Sequence, residues 1–271
     1  MKDKVVLITG GSSGIGKALA LEFGRQGSKV VITGRDEKKL AEVNQELSRA
    51  GIDYLSLVAD VSIAEDNDRM IQEIISKYGR LDVLINNAGI SMRAMFEDMD
   101  PEVIRKVMDI NFFGSVYATK ASLPYIKVAK GSIVGISSIA GYRGLPVRCG
   151  YSASKFALNG FLEALRTELL HTGVHVLTAS PGFTASNIRV ASLGKDGKSM
   201  GETMRDEEKM MSAEEVAVHI YKAVVNRKRE LILTSQGKLT VFLNKLFPKF
   251  MDKMVYNTLA KEDNSPLRNR S

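Results

Sequence analysis

Tyr151 and Lys155 stand four residues apart in the stretch Tyr151-Ser152-Ala153-Ser154-Lys155. On a helix that spacing turns both side chains to one face, so they can share a site. A free phenol ionises near about pH 10 and exchanges protons poorly at neutrality. A neighbouring ammonium favours the phenolate and lowers that value. Tyr151 can then give a proton to a carbonyl oxygen or take one from an alcohol. Ser138, upstream in Ser137-Ser138-Ile139-Ala140-Gly141, supplies a hydroxyl that can hydrogen-bond the same oxygen and fix its position. Arg143 and Arg148 flank the stretch, where they would attract an anionic substrate or serve as surface or subunit-contact charges. Cys149, the single cysteine, is read as a small pocket-wall residue rather than a reactive thiol. His171, His175 and His219 have no ligand spacing, so no metal is expected.

A second group could hold phosphate. Thr9-Gly10-Gly11-Ser12-Ser13-Gly14-Ile15-Gly16 follows the apolar run Val5-Val6-Leu7-Ile8 and opens a helical segment. Glycines let the backbone turn tightly and approach a pyrophosphate, whose charge then meets the amides at the helix start. The strict G-x-G-x-x-G spacing is absent. A P-loop nearly fits from Gly11 to Lys17, but Ala18 stands where a magnesium-binding hydroxyl belongs.

These residues need a scaffold, and the hydrophobic pattern describes one. Short apolar runs at 4–9, 29–33, 54–58, 83–86, 132–137, 174–179 and 230–234 read as strands buried on both faces. Amphipathic segments between them read as helices. Ser62 with Glu65 and Ser212 with Glu215 match capping boxes, Asp100-Pro101 matches a cap followed by proline, and Asp36 is placed to cap the second helix. The alternation implies an α/β fold: one doubly wound parallel sheet of about seven strands, Rossmann type, over residues 1–235. The stretch 183–211 has no clear period and is expected to be a long loop over the site.

Composition bounds the rest. The chain has 271 residues, 44% hydrophobic and 25% charged, which excludes a disordered tail or a helical rod. Its net charge of +7 is spread along the sequence without a nucleic-acid motif, so no nucleic-acid partner is expected. No run has the length of a membrane span, and the opening apolar run is too short for a signal peptide. A cytoplasmic protein is expected, with peripheral membrane contact as an added option.

The pattern Thr-Gly-x-x-x-Gly-x-Gly at residues 9–16 resembles the short-chain dehydrogenase/reductase family. The resemblance recurs in order over about residues 4–235: Asp60 after strand three, Asn86-Asn87-Ala88-Gly89 after strand four, Asn111 in the next helix, Ser138, Tyr151 with Lys155, then Pro181-Gly182 with Thr184 beyond. It implies an NAD(P)-dependent oxidoreductase in which a nicotinamide exchanges hydride with a carbonyl or secondary alcohol. It further implies that Lys155 holds the nicotinamide ribose and Asn111 supports a proton-refilling water chain. Gly10, Ser12, Ser13, Gly14, Ile15 and Gly16 would cradle the phosphates, and Asp60 and Val61 would face the adenine. Asn87, Ala88 and Gly89 would wall the cofactor, with Pro181, Gly182 and Thr184 near the carboxamide. The family also implies a homodimer or homotetramer formed through 101–127 and 150–171.

The end of strand two bears on which dinucleotide is used. Sites for NAD commonly carry an acid there to bind the ribose hydroxyl. Here Gly34 leaves that position empty, and Arg35 can offer a planar fork to a 2′-phosphate, with Ser12 or Ser13 adding a hydroxyl. NADP(H) is therefore expected over NAD(H). A non-catalytic NADP(H) sensor of the same fold is the alternative, disfavoured because such proteins usually lose the Tyr/Lys pair.

Residues 236–271 follow a different pattern. Leu239, Phe242, Leu243, Leu246, Phe247, Phe250, Met251, Met254 and Val255 recur at helical spacing with lysines between, and Pro248 divides the stretch. The segment is read as an extra helix pair packed on protein, ahead of an amphipathic surface for anionic lipid. Similar extensions in some family members suggest a hydrophobic, steroid- or lipid-like substrate. Residues 261–271 are expected to fray.

Overall fold

The computed structural model describes residues 1–182, 184, 188, 191–201, 210–262 and 265–268. Among these, seven strands form one parallel sheet: β1 Val5–Ile8, β2 Lys29–Gly34, β3 Tyr54–Val58, β4 Val83–Asn86, β5 Ser132–Ile136, β6 His175–Ser180 and β7 Glu230–Ile232. Their order is β3-β2-β1-β4-β5-β6-β7. The direction of winding reverses between β1 and β4, and open sheets of this kind bind ligands outside the carboxyl ends at that reversal.

Alternation along the strands feeds two cores. Val6, Ile8, Val30 and Ile32 face one side, where they meet Leu19 and Phe23 of α1 (Gly14–Arg25), α2 (Glu37–Arg49) and α7 (Ala213–Val225). Val5, Leu7 and Val31 face the other, against α3 (Ala64–Tyr78), α5 (Gly114–Ala129) and α6 (Cys149–Glu168). Burial on both faces is why these strands read as continuous apolar runs. A short helix, α4 (Pro101–Met108), runs through one π-helical turn, Asp109–Phe113, into α5.

The helix caps follow local chemistry, with one exception. Asp36 accepts from the amides of Lys38 and Lys39, Asp100 accepts from Glu102 ahead of Pro101, and Ser212 and Glu215 form the reciprocal box. The box expected at Ser62 and Glu65 does not form. The Ser62 hydroxyl instead donates to Asp60 Oδ1 at 2.6 Å, and α3 starts after Ile63 without a side-chain cap. With Ile63 as the cap position, Ser62 lies one residue too early to receive an amide of the first turn.

The chain ends in a helix pair, α8 (Ser235–Leu246) and α9 (Pro248–Ala260). Pro248 occupies the first turn of α9, where its missing amide donor costs nothing. Met251, Val255 and Leu259 pack with Val147 and Leu267 into a separate small core. Residues expected to fray are packed: Glu262, Ser265 and Leu267 are all buried. The long loop expected over 183–211 lies partly outside the described residues. Its described part bridges back to the domain where Leu193 pairs with Met92, and its two ends meet where Thr184 pairs with Met211.

Candidate active site

The turn after β1 is built by close packing. Gly10 has φ +65°, and a Cβ on it would meet the Ala88 backbone at 2.8 Å. Thr9 Oγ1 accepts from the amides of Asn87 and Ala88, while Asn87 Nδ2 donates to the carbonyls of Thr9 and Gly10. The turn after β1 is thereby tied to the segment after β4. A cleft of about 270 Å³ opens beside them, and Gly10, Ser12, Ser13, Gly14, Ile15 and Gly16 form one wall. Asn87, Ala88 and Gly89 form another, and Asp60 and Val61 close its far end.

Arg35 lines this cleft, as expected, and so does Lys39, which the sequence reading missed. The available signal was its place in the first turn of a helix that follows β2 directly. Arg35 Nη1 lies 3.4 Å from Asp60 Oδ2. Burial would raise the Asp60 pKa, but hydrogen bonds from Ser62 and the charge of Arg35 outweigh it and hold the carboxyl below its ordinary value. Gly34 abuts Ser12: an added Cβ would sit 3.1 Å from its hydroxyl.

The cleft runs into a larger cavity of about 970 Å³, and Ile15, Asn87 and Gly89 line both. Ser138, Tyr151 and Lys155 meet at this junction, with Pro181, Gly182 and Thr184 on the same cavity's wall. Ser138 reaches its place as the second residue after β5, its hydroxyl accepting from the Ala140 amide. Tyr151 and Lys155 come from the first turns of α6. Lys155 is buried, its Nζ donates to the Ile136 carbonyl at 2.8 Å, and it lies 5.7 Å from the Tyr151 ring centre. Asn111, fully buried in the π-helical turn rather than in a regular helix, clamps Ile90 through both its amide and its carbonyl. It also donates to Ser154 Oγ.

Burial adds an effect on the phenol that spacing alone does not show. Burial raises the Tyr151 pKa, opposed by the Ser138 hydroxyl and the Arg148 charge. Burial pushes the Lys155 pKa down to about 8, so it stays mostly cationic at neutral pH while one of its N–H groups donates to Ile136. The site is an acid–base pair held in low dielectric, where a proton donor and a hydroxyl face one enclosed space.

The rest of the cavity was not visible in the motifs. Thr234, Gly237 and Thr240 on the α8 side, and Met254, Val255 and Leu259 on α9, roof it. Cys149 is half-buried in an apolar cluster with Met92 and Tyr151, and it is not among the residues that line the cleft or the cavity. Among the described residues there is no group of three or more His, Cys, Asp or Glu able to hold a metal.

The family profile described as short chain dehydrogenase matches residues 4–196. The chain belongs to that family. It is similar to the mouse dehydrogenase/reductase SDR family member 7B, 36% identical over 98% of this chain and 84% of the relative. It is also 36% identical to the 11-beta-hydroxysteroid dehydrogenase 1A of Arabidopsis thaliana, over 94% of this chain and 76% of that one. A solved short chain dehydrogenase/reductase SDR from Burkholderia phymatum, in complex with NAD, shares the fold. Its TM-score is 0.82 at 23% identity, over 92% of this chain and 95% of the other. This short-chain dehydrogenase is therefore an oxidoreductase of CH–OH and C=O groups.

Proposed function

We propose that this enzyme interconverts a bulky, mostly apolar ketone or aldehyde and its alcohol, with NADP(H) as the hydride partner. The observation that carries the reading is the meeting of Ser138, Tyr151 and Lys155 where the narrow cleft opens into the 970 Å³ cavity. The residues fit a dinucleotide: the glycine wall is so tight that a Cβ on Gly16 would fall 2.2 Å from the Gly10 carbonyl oxygen. Ser12, Ser13 and the Gly14–Gly16 turn would hold its phosphates, and Asn87 to Gly89 its middle. When bound, the nicotinamide supplies or accepts the hydride. Ser138 orients the substrate oxygen, and Tyr151 gives it a proton during reduction or takes one during oxidation.

NADP(H) is favoured by two cations on one cleft wall, Arg35 and Lys39, and by the missing acid at Gly34. A hydrophobic substrate is favoured by Ile139, Leu145, Met254, Val255 and Leu259 along the cavity. Among the described residues no helix is long and apolar enough to cross a membrane. A cytoplasmic protein touching membranes peripherally is the proposed location. Leu239, Phe242, Leu246, Phe247 and Phe250 remain exposed on the outer face of the α8–α9 pair, with Lys238, Lys245, Lys249 and Lys253 in the same two helices. Self-association into a dimer or tetramer through α4–α5 and α6 is proposed on the exposed Phe113 and Phe156 of those helices.

The test is NADPH and NADH consumption against ketones, aldehydes, steroids and long-chain 3-keto compounds. Turnover of apolar ketones with NADPH above NADH is expected. No turnover of any carbonyl or alcohol with either dinucleotide would remove the reading.

A further inference from the structure

The apolar packing that holds the C-terminal helix pair is small. Among the described residues, Met251, Val255 and Leu259 of α9 share a core with Val147 and Leu267, while Leu239, Phe242, Leu246, Phe247 and Phe250 are exposed. Charged contacts supply the rest. Glu262, just beyond α9, keeps its carboxylate almost wholly buried, with Oε2 3.3 Å from Arg93 Nη2 and 3.9 Å from Arg148 Nη2. In a second set, Arg143 donates to Asn244 Oδ1 of α8 at 3.1 Å and to Asp252 Oδ1 of α9, and Asn244 Nδ2 donates to the Tyr142 carbonyl.

The three arginines belong to segments beside the reacting groups. Arg143 and Arg148 lie on the stretch that joins Ser138 to Tyr151. That stretch is strained just before α6: Val147 adopts φ +58°, a left-handed conformation that β-branched residues rarely take. The Val147 carbonyl accepts from the Ala94 amide at 2.9 Å, and its side chain is buried with those of α9. The Arg93 amide donates to the Leu193 carbonyl at 2.8 Å, which joins the described part of the long loop to the same tie. Apolar side chains could hold a helix as firmly as a buried ion pair does, so the charges here specify one docking geometry.

We propose that Glu262 and Asp252 are specificity-determining positioning residues, which hold α9 across the cavity by gripping Arg93, Arg148 and Arg143. The specificity role rests on the carbonyl reaction proposed above. Met254, Val255 and Leu259 of α9 line the 970 Å³ cavity together with Tyr151. A bulky apolar substrate gains from those side chains only while α9 stays fixed against the stretch that bears Arg143 and Arg148. A small ketone held at Ser138 and Tyr151 fills little of that volume and depends on α9 less. Glu262 is the stronger grip, because its carboxylate is 5% exposed where that of Asp252 is 65% exposed, and exposed ion pairs contribute little.

Hydrogen exchange of the full chain reads the grip with neither substrate nor cofactor. Glu262→Gln should speed exchange of the α9 amides by about tenfold and leave those of β1, β4 and β5 at native rates. Glu262→Asp, which keeps the charge, should speed it less, and Asp252→Asn least of all. Kinetics then read the specificity. In Glu262→Gln the kcat/KM of a bulky steroid ketone relative to that of cyclohexanone should fall by about tenfold, through KM rather than kcat. Unchanged α9 exchange in Glu262→Gln overturns the grip. Faster exchange with an unchanged ratio, or a loss carried by kcat alone, overturns the specificity role. Should Glu262→Gln fail to fold, the same comparisons on Glu262→Asp decide. Absence of carbonyl turnover in the native chain would strike the proposed reaction and the specificity role with it, while the exchange rates would still decide the grip.

Discussion

Gly16 faces the Gly10 carbonyl so closely that a Cβ on Gly16 would lie 2.2 Å from that oxygen and 2.6 Å from Asn87 Nδ2. The Gly10 carbonyl is itself fixed, since it accepts from Asn87. Neither neighbour can retreat without breaking the tie between β1 and β4. Gly16→Ala should cost about 1–3 kcal/mol of folding stability and weaken dinucleotide binding. Denaturant unfolding and a nucleotide titration check both parts; an unchanged pair would mean that the turn is looser than described.

Tyr151→Phe removes the proton and leaves the ring in its apolar cluster with Met92. Turnover should fall by roughly 10²–10⁴ or more while NADPH affinity stays within a few-fold. Single-turnover kinetics beside a nucleotide titration separate the two effects.

Arg35 and Lys39 line one cleft, and Gly34, packed against Ser12, puts no carboxylate there. Arg35→Asp should weaken NADPH relative to NADH by about tenfold or more, since it deletes a phosphate partner and adds a repelling carboxylate. Lys39→Ala should move the ratio in the same direction by less. Dissociation constants for the two nucleotides decide it.

His175 is buried, with one ring nitrogen 3.1 Å from Ser132 Oγ and the other 2.8 Å from the Lys228 carbonyl. Burial lowers its pKa, aided by the charges of Arg227 and Arg166 and opposed by the Lys228 carbonyl. The folded protein therefore binds the proton less readily than the unfolded chain. Stability should be full above about pH 6.5 and decline as the pH falls from there toward the depressed folded value. Urea midpoints at pH 7.5 and 5.5 should differ more for the native chain than for His175→Gln.

Phe242 and Phe250 are both more than half exposed on the α8–α9 surface. Replacing both with Glu should leave thermal stability nearly unchanged and abolish flotation with anionic vesicles. Equal flotation of the two proteins would assign that face to something other than lipid.

The sheet was legible because strands buried on both sides carry uninterrupted runs such as Val5 to Ile8, which no surface segment imitates. Tyr151, Lys155, Ser138 and the glycine turn were legible because each sits within a short motif. Lys39, Arg148 and Glu262 were harder to see as site residues. Lys39 looks like any helix-surface charge, and Arg148 and Glu262 meet only through the tertiary fold. The box at Ser62 failed for a local reason, a helix start one residue later with Ile63 as the cap position. Spacing gave the neighbour's charge beside the phenol but said nothing of burial, which pulls the phenol the other way.

The roof over the large cavity comes from α8 and α9, beyond the residues 4–196 that carry the family profile. Part of the wall that would meet a substrate thus lies on a different stretch of chain from Ser138, Tyr151 and Lys155. Exchanging the last thirty-odd residues for those of a relative should therefore change which substrates turn over while Ser138, Tyr151 and Lys155 keep their places in the chain.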